Sequence, residues 1–271
     1  MKKTFLQQSG KMSDLRKTSL DISFGMYSEQ FLNSIGENDY SAVSSVFNDN
    51  YRQHSVLEYI EVYTSESGTL LWKATDSEPR KETDFVFYSS FGIFHSIDHG
   101  EFGGTLTTPK ETLYGNFSNI IEFNGKVYAI DSLSHMGIRH SRIIEFDNQL
   151  KHKTIFETDP EDRLSLVAIT IEKDRILLLI SGALSGNTGS FEDSKDYSVL
   201  LEITKNGLNR IAEFEFDLHY VNNLLLKNHT LIIGMNKLIA VIDTETKEIN
   251  AYTPLTIEAE DELRRTNGNT N

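Results

Sequence analysis

Apolar and polar residues alternate along most of this chain with the period of a β-strand, and the alternation is clearest between Ser118 and Glu157. Two apolar runs, 118–123 and 126–131, flank Asn124-Gly125, a pair suited to the tight hairpin turn that needs positive φ at both central residues. A second pair, Arg142 to Phe146 and Lys151 to Phe156, meets across Asp147 to Gln149, and a polar loop over 132–140 joins the two hairpins. Four antiparallel strands within about forty residues have the size of one blade of a β-propeller.

The same arrangement recurs. Leu57 to Tyr63 and Thr69 to Ala74 form a hairpin around Ser65 to Gly68, and Asp84 to Tyr88 with Gly92 to Ile97 open another unit. Ser165 to Ile171, Arg175 to Ile180, Tyr197 to Ile203 and Leu208 to Phe214 form a third four-strand unit, and the last copy runs from Val221 to Thr253. The turns at Asn124-Gly125, Lys173-Asp174 and Asn228-His229 fall at intervals of 49 and 55 residues. The expected fold is therefore all-β, a β-propeller-like array of about five small antiparallel blades, with the first hairpin completed by an early strand such as Ser19 to Phe24. An open array or two stacked sheets would use the same pattern.

The ends of the chain differ. Residues 1–20 carry five Lys and Arg against Asp14 alone and read as a flexible basic arm. Over 21–55, Phe31, Leu32, Ile35, Tyr40, Val43, Val46 and Phe47 recur at helical spacing, with Ser28 and Asp39 as caps, predicting a short helical segment packed on a β domain at 56–255. Residues 256–271 lack apolar periodicity and read as a mobile acidic and polar tail.

Composition narrows the function. With 40 Asp and Glu against 26 Lys and Arg, the formal charge of −14 disfavours direct contact with nucleic acid, which demands clustered positive charge. No apolar run approaches a membrane span, and Gln7 to Lys11 interrupt the place where a signal peptide's apolar region would lie, so a cytoplasmic location is expected. The absence of cysteine removes disulfides, thiolate metal sites and cysteine nucleophiles.

Motifs for nucleophilic, zinc-dependent or nucleotide-dependent catalysis are missing, and no cofactor is expected. The Gly-rich stretch from Ser181 to Ser190 lacks the Lys and helix of a phosphate loop and reads as a long connection. One dense polar cluster, His95 to Gly104, contains His95, Asp98, His99 and Glu101. These residue types suit a divalent metal, but the glycines around them fit a tight turn better, with Asp98, His99 and Glu101 turned to the backbone or to a partner. His135, Arg139 and His140 fall in the polar loop, where binding residues gather. Two acidic loops, with Asp159, Glu161 and Asp162 in one and Glu192, Asp193 and Asp196 in the other, are suited to a basic protein, and Phe191 and Tyr197 flank the second.

The stretch from Asp98 to Gly104, followed by 115–131 and by Ser134 to Gly137, resembles a group of bacterial propeller-like proteins with immunity functions in polymorphic toxin and contact-dependent growth inhibition systems. The resemblance covers roughly 84–157. It implies a non-enzymatic cytoplasmic protein that binds a cognate toxin domain, often a basic nuclease, in a one-to-one complex and occludes its active site. The alternative from another class is a propeller-fold hydrolase or lyase acting on a small molecule or sugar, with Asp98 and Glu101 near its centre.

Overall fold

The computed structural model describes residues 9–18, 59–75, 84–135, 138–185, 194–218, 221–235 and 238–253. The described chain is largely β-structure. Its strands are β1 (Ser9–Lys11), β2 (Arg16–Thr18), β3 (Tyr59–Thr64) and β4 (Leu70–Thr75), then β5 (Asp84–Ser89), β6 (Gly92–Asp98), β7 (Gly104–Thr107) and β8 (Thr112–Tyr114). There follow β9 (Phe117–Phe123), β10 (Lys126–His135), β11 (Ile138–Phe146), β12 (His152–Glu157), β13 (Arg163–Ile171), β14 (Arg175–Leu184), β15 (Lys195–Thr204) and β16 (Gly207–Phe214). The last four are β17 (Val221–Lys227), β18 (Thr230–Met235), β19 (Ile239–Asp243) and β20 (Ile249–Thr253). Two single 3-10 turns, Met12–Asp14 and Gly100–Phe102, are the only helical turns among the described residues. The helical segment expected over 21–55, the early strand at Ser19 to Phe24 and the tail at 256–271 lie outside them.

Five small antiparallel sheets result, in agreement with the repeat read from the turns. They fall into two compact units, residues 79–218 and residues 1–78 with 219–271, and the β domain expected at 56–255 takes in the whole of the first and part of the second.

In the unit built from both chain ends, β1 pairs with β4 to extend the β3-β4 hairpin, and β2 adds to β20 at the edge of the last sheet. The arm expected to be flexible over 1–20 is therefore strand over much of 9–18. Its lysines and Arg16 hid two short edge strands whose pairing is set by the backbone rather than by apolar side chains. Ile60, Val62, Trp72, Ile232 and Ile239 form this unit's core, with Met12 and Leu15 packed against it. Gly234 lets backbones meet, since a Cβ there would lie 2.1 Å from the Ile60 carbonyl oxygen.

The central unit holds three consecutive four-stranded meanders, β5 to β8, β9 to β12 and β13 to β16. The middle sheet is buried on both faces. On one side Ile120, Val127, Ala129, Ile144 and Phe146 pack with Phe94, Leu106 and Phe117. On the other, Ile121, Phe123, Tyr128, Ile130 and Ile143 pack with Leu164, Ile176, Leu178 and Leu201. Burial on both faces explains the paired apolar residues Ile120-Ile121 and Ile143-Ile144, which break strict alternation.

The polar loop expected over 132–140 is instead strand on both sides of its tip. β10 runs on to His135 and β11 starts at Ile138, and Ser132 and Ser141 sit opposite each other in the ladder. Likewise β14 continues through Ser181 and Gly182 to Leu184, inside the stretch read as a long connection. In both places buried hydroxyls have hydrogen-bond partners, so polar residues occupy interior strand positions at little cost.

Candidate functional site

In an antiparallel meander, the connection from second to third strand and the lead into the first strand lie at the same end of the sheet. In the central unit this end gathers 98–104, 114–117, 131–135, 138–142, 158–163, 182–185, 194–198 and 215–218. We call it the rim. Of the residues expected to face a partner, Asp98, His99, Glu101, Asp159, Glu161, Asp162 and Asp196 belong to it, and Glu192 and Asp193 lie outside the described residues.

Hydrogen bonds tie the rim together across its sheets. Ser96 Oγ donates to the Phe117 carbonyl oxygen at 2.8 Å, reaching from the first sheet to the second. The Leu166 amide donates to Ser132 Oγ at 2.9 Å and Ser141 Oγ at 2.7 Å, reaching from the third sheet back to the second. The Leu218 amide donates to Ser181 Oγ at 2.6 Å, and Ser198 Oγ donates to the Phe216 carbonyl oxygen at 2.6 Å. Ser132 and Ser181, near the ends of β10 and β14, thus each accept a backbone amide from a distant segment, and Ser96, near the end of β6, instead donates to a backbone carbonyl. The serines are legible in the sequence, but their partners are not local.

The most connected group is Asp131, at the point where the β9-β10 register shifts. It is 3% exposed. Its Oδ1 accepts from the Asn116 amide at 2.7 Å and pairs with His140 Nε2 at 3.1 Å, while Oδ2 accepts from Arg142 Nη2 at 2.8 Å. Burial pushes its pKa up, but the hydrogen bond and charge of His140, the Asn116 amide and Arg142 outweigh it and hold the carboxyl below its ordinary value. Arg142 Nη2 also donates to the Tyr114 carbonyl oxygen at 2.9 Å, and Arg142 Nε is buried without a partner among the described residues. Gly115 makes room for the carboxylate, because a Cβ there would lie 2.5 Å from Asp131 Oδ2.

Asn116 carries the network outward. Its Nδ2 donates to Asp98 Oδ1 at 2.7 Å and to the Gly100 carbonyl oxygen at 2.6 Å, and the Gly100 amide donates to Asp98 Oδ1 at 2.8 Å. Asp98 is therefore committed to the turn. His99 is exposed at the start of this turn, and Glu101 lies within it. His95 pairs instead with Asp84, at 2.8 Å. Among the described residues no three His, Asp or Glu side chains are grouped to hold a metal ion.

A second network lies beside β14. Asp217 accepts from Arg139 Nη1 at 3.2 Å and from Ser181 Oγ at 2.9 Å. Asp162 accepts from the Ser185 amide at 2.9 Å, and Asp159 accepts from the Glu161 amide at 2.9 Å. Asp159, Glu161 and Asp196 are exposed, and no cation pairs with them among the described residues. Nothing in the sequence singles out Asp131, Asp217 or Asn116, because single polar residues between apolar ones carry no local signal of a shared cluster.

No family model matches the chain, and no curated protein matches it in sequence. Among solved structures, an apocarotenoid oxygenase mutant from Synechocystis shares 9% identity over 71% of this chain, with a TM-score of 0.33. The match covers 60% of that oxygenase. A GH32 β-fructofuranosidase mutant from Bombyx mori shares 8% identity over 82% of this chain and 70% of its own, with a TM-score of 0.29. The computationally designed Ika8 protein shares 8% identity over 73% of this chain and 83% of its own, with a TM-score of 0.23. These similarities assign no family. No helix among the described residues is long and apolar enough to cross a membrane.

Proposed function

We propose that the five sheets are blades of a propeller and that the chain is a non-enzymatic immunity protein of the cytoplasm. It binds the basic domain of a cognate toxin in a one-to-one complex and occludes its active site. The observation that carries this reading is a division of labour among the rim's carboxylates. Asp131, Asp98 and Asp217 are spent on buried or half-buried hydrogen bonds across the rim, whereas Asp159, Glu161 and Asp196 are exposed and form no ion pair among the described residues, the Asp159 carboxylate bonding only within its own turn to the Glu161 amide. Exposed carboxylates on one rim of a chain with charge −14 suit a basic protein surface and speed its approach.

Co-purification with the product of the neighbouring gene tests this. A one-to-one complex with a basic protein is expected, and neutralising Glu192, Asp193 and Asp196 together should weaken it. Unchanged affinity would remove that loop from the interface, and recovery of no complex would overturn the reading.

The Asp131–His140 pair favours a second reading, a hydrolase or lyase acting on a small molecule or sugar. A buried carboxylate orienting an imidazole is the arrangement a general base requires. Turnover abolished by His140→Ala in a stably folded protein would support this alternative.

A further inference from the structure

The rim presents two aromatic side chains to solvent, Phe102 at 85% exposure and Tyr114 at 80%. Each leaves apolar area in water that a partner would bury. Their backbones are held by several hydrogen bonds. The His99 amide donates to the Gly103 carbonyl oxygen at 2.8 Å, and the Gly103 amide donates to the Gly100 carbonyl oxygen at 3.0 Å. The Gly100 amide and carbonyl are both engaged, by Asp98 and by Asn116. The Gly115 amide donates to the Gly104 carbonyl oxygen at 3.1 Å, and Arg142 holds the Tyr114 carbonyl. Asn116, itself 3% exposed, links this turn to buried Asp131.

A buried polar network is thus used to fix a turn that offers an aromatic ring to solvent. Fixing a contact group before binding removes the entropy cost of ordering it later, and aromatic side chains are the usual anchors of protein interfaces. Hydrogen bonds also connect this turn to the acidic loop. Arg142 reaches Tyr114, its neighbour Ser141 accepts from the Thr158 amide at 2.9 Å, and Asp159 follows directly. Aromatic and acidic groups therefore flank the start of β11 on the same rim.

We propose that Phe102 and Tyr114 are the anchor of the interface, and that the partner is a protein offering an apolar cleft bordered by Lys and Arg. Asn116 is a positioning residue for that anchor. This inference rests on the protein-binding reading above.

Two measurements test it. Hydrogen exchange on the free protein should show protected amides at His99, Gly100 and Gly103, with protection lost in Asn116→Ala while Ile121 and Ile143 stay protected. Affinity for the co-purified basic partner should fall by about thirtyfold in Phe102→Ala, with an unchanged salt dependence. Unprotected amides in the wild-type turn would overturn the inference. So would a Phe102→Ala variant that binds as the wild type does, and that result would leave the protein-binding reading standing. Recovery of no partner would overturn both.

Discussion

The two ends of the sheets in the central unit are built differently. At the end opposite the rim the chain reverses in short local turns. Asn124 and Gly125 take φ of 49° and 69°, Leu150 takes φ of 58°, and the Glu172 amide donates to the Arg175 carbonyl oxygen. Charges there pair within a sheet, as in Glu172 with Arg175 and Glu145 with Lys126 and Lys153, or between exposed turns of adjoining sheets, as in Glu111 with His152. At the rim, hairpins extend beyond their neighbouring strands, and buried side chains bond across sheets. Both ends join sheets, but the turn end does so through exposed groups, as in Ser90 with Glu122 and Glu111 with His152, whereas the rim does so through buried ones and leaves acidic and aromatic groups outside. Long-range hydrogen bonding between buried groups therefore marks the end on which candidate binding residues are held.

Substitutions at the two ends should differ in size. The largest effect is expected at Asp131→Ala, which leaves the buried Asn116 amide without its acceptor and half-buried Arg142 and His140 without their carboxylate. A loss of about 2–4 kcal/mol in denaturant unfolding is expected, and a loss below about 1 kcal/mol would show that the network does not hold the rim. Gly182→Ala should follow, since φ is 151° and a Cβ would lie 1.8 Å from the Arg163 carbonyl oxygen. Its cost should reach about 1–3 kcal/mol on the same measurement.

At the opposite end, Gly125→Ala meets nothing within 4 Å and costs only its left-handed backbone, about 1 kcal/mol. Smallest of all, Glu111→Gln removes a partly exposed pair with His152 and should shift stability by no more than about 0.5 kcal/mol. Equal effects at the two ends would erase the distinction between them.

Acid acts at both ends: burial pushes the Glu145 carboxyl up, but Lys126 and Lys153 outweigh it and hold it below its ordinary value, and the same direction holds for Asp131 at the rim. Because the folded pKa of Asp131 lies below its ordinary value of about 3.9, its contribution is fully present above that pH and is lost as pH falls through the folded pKa. Unfolding midpoints followed downward from about pH 6 should fall for the wild type below about pH 4, and Asp131→Asn should show a smaller fall, the remainder coming from Glu145 and the other carboxylates held below their ordinary value.

The alternation of apolar residues and the turn at Asn124-Gly125 specify the strands and their grouping, because both act within a few residues of sequence. The five-sheet repeat was legible for that reason. Ser132 reads as loop in the sequence because polar residues usually lie outside strands, and its partners inside one, Ser141 across the ladder and the Leu166 amide from another sheet, are set only by the fold. The same holds for Arg16 to Thr18, whose place beside β20 depends on residues at the far end of the chain. Asp131, Asn116 and Asp98 are single polar residues separated along the sequence. Folding alone brings them together, since hydrogen bonds between sheets depend on distances that no local pattern encodes.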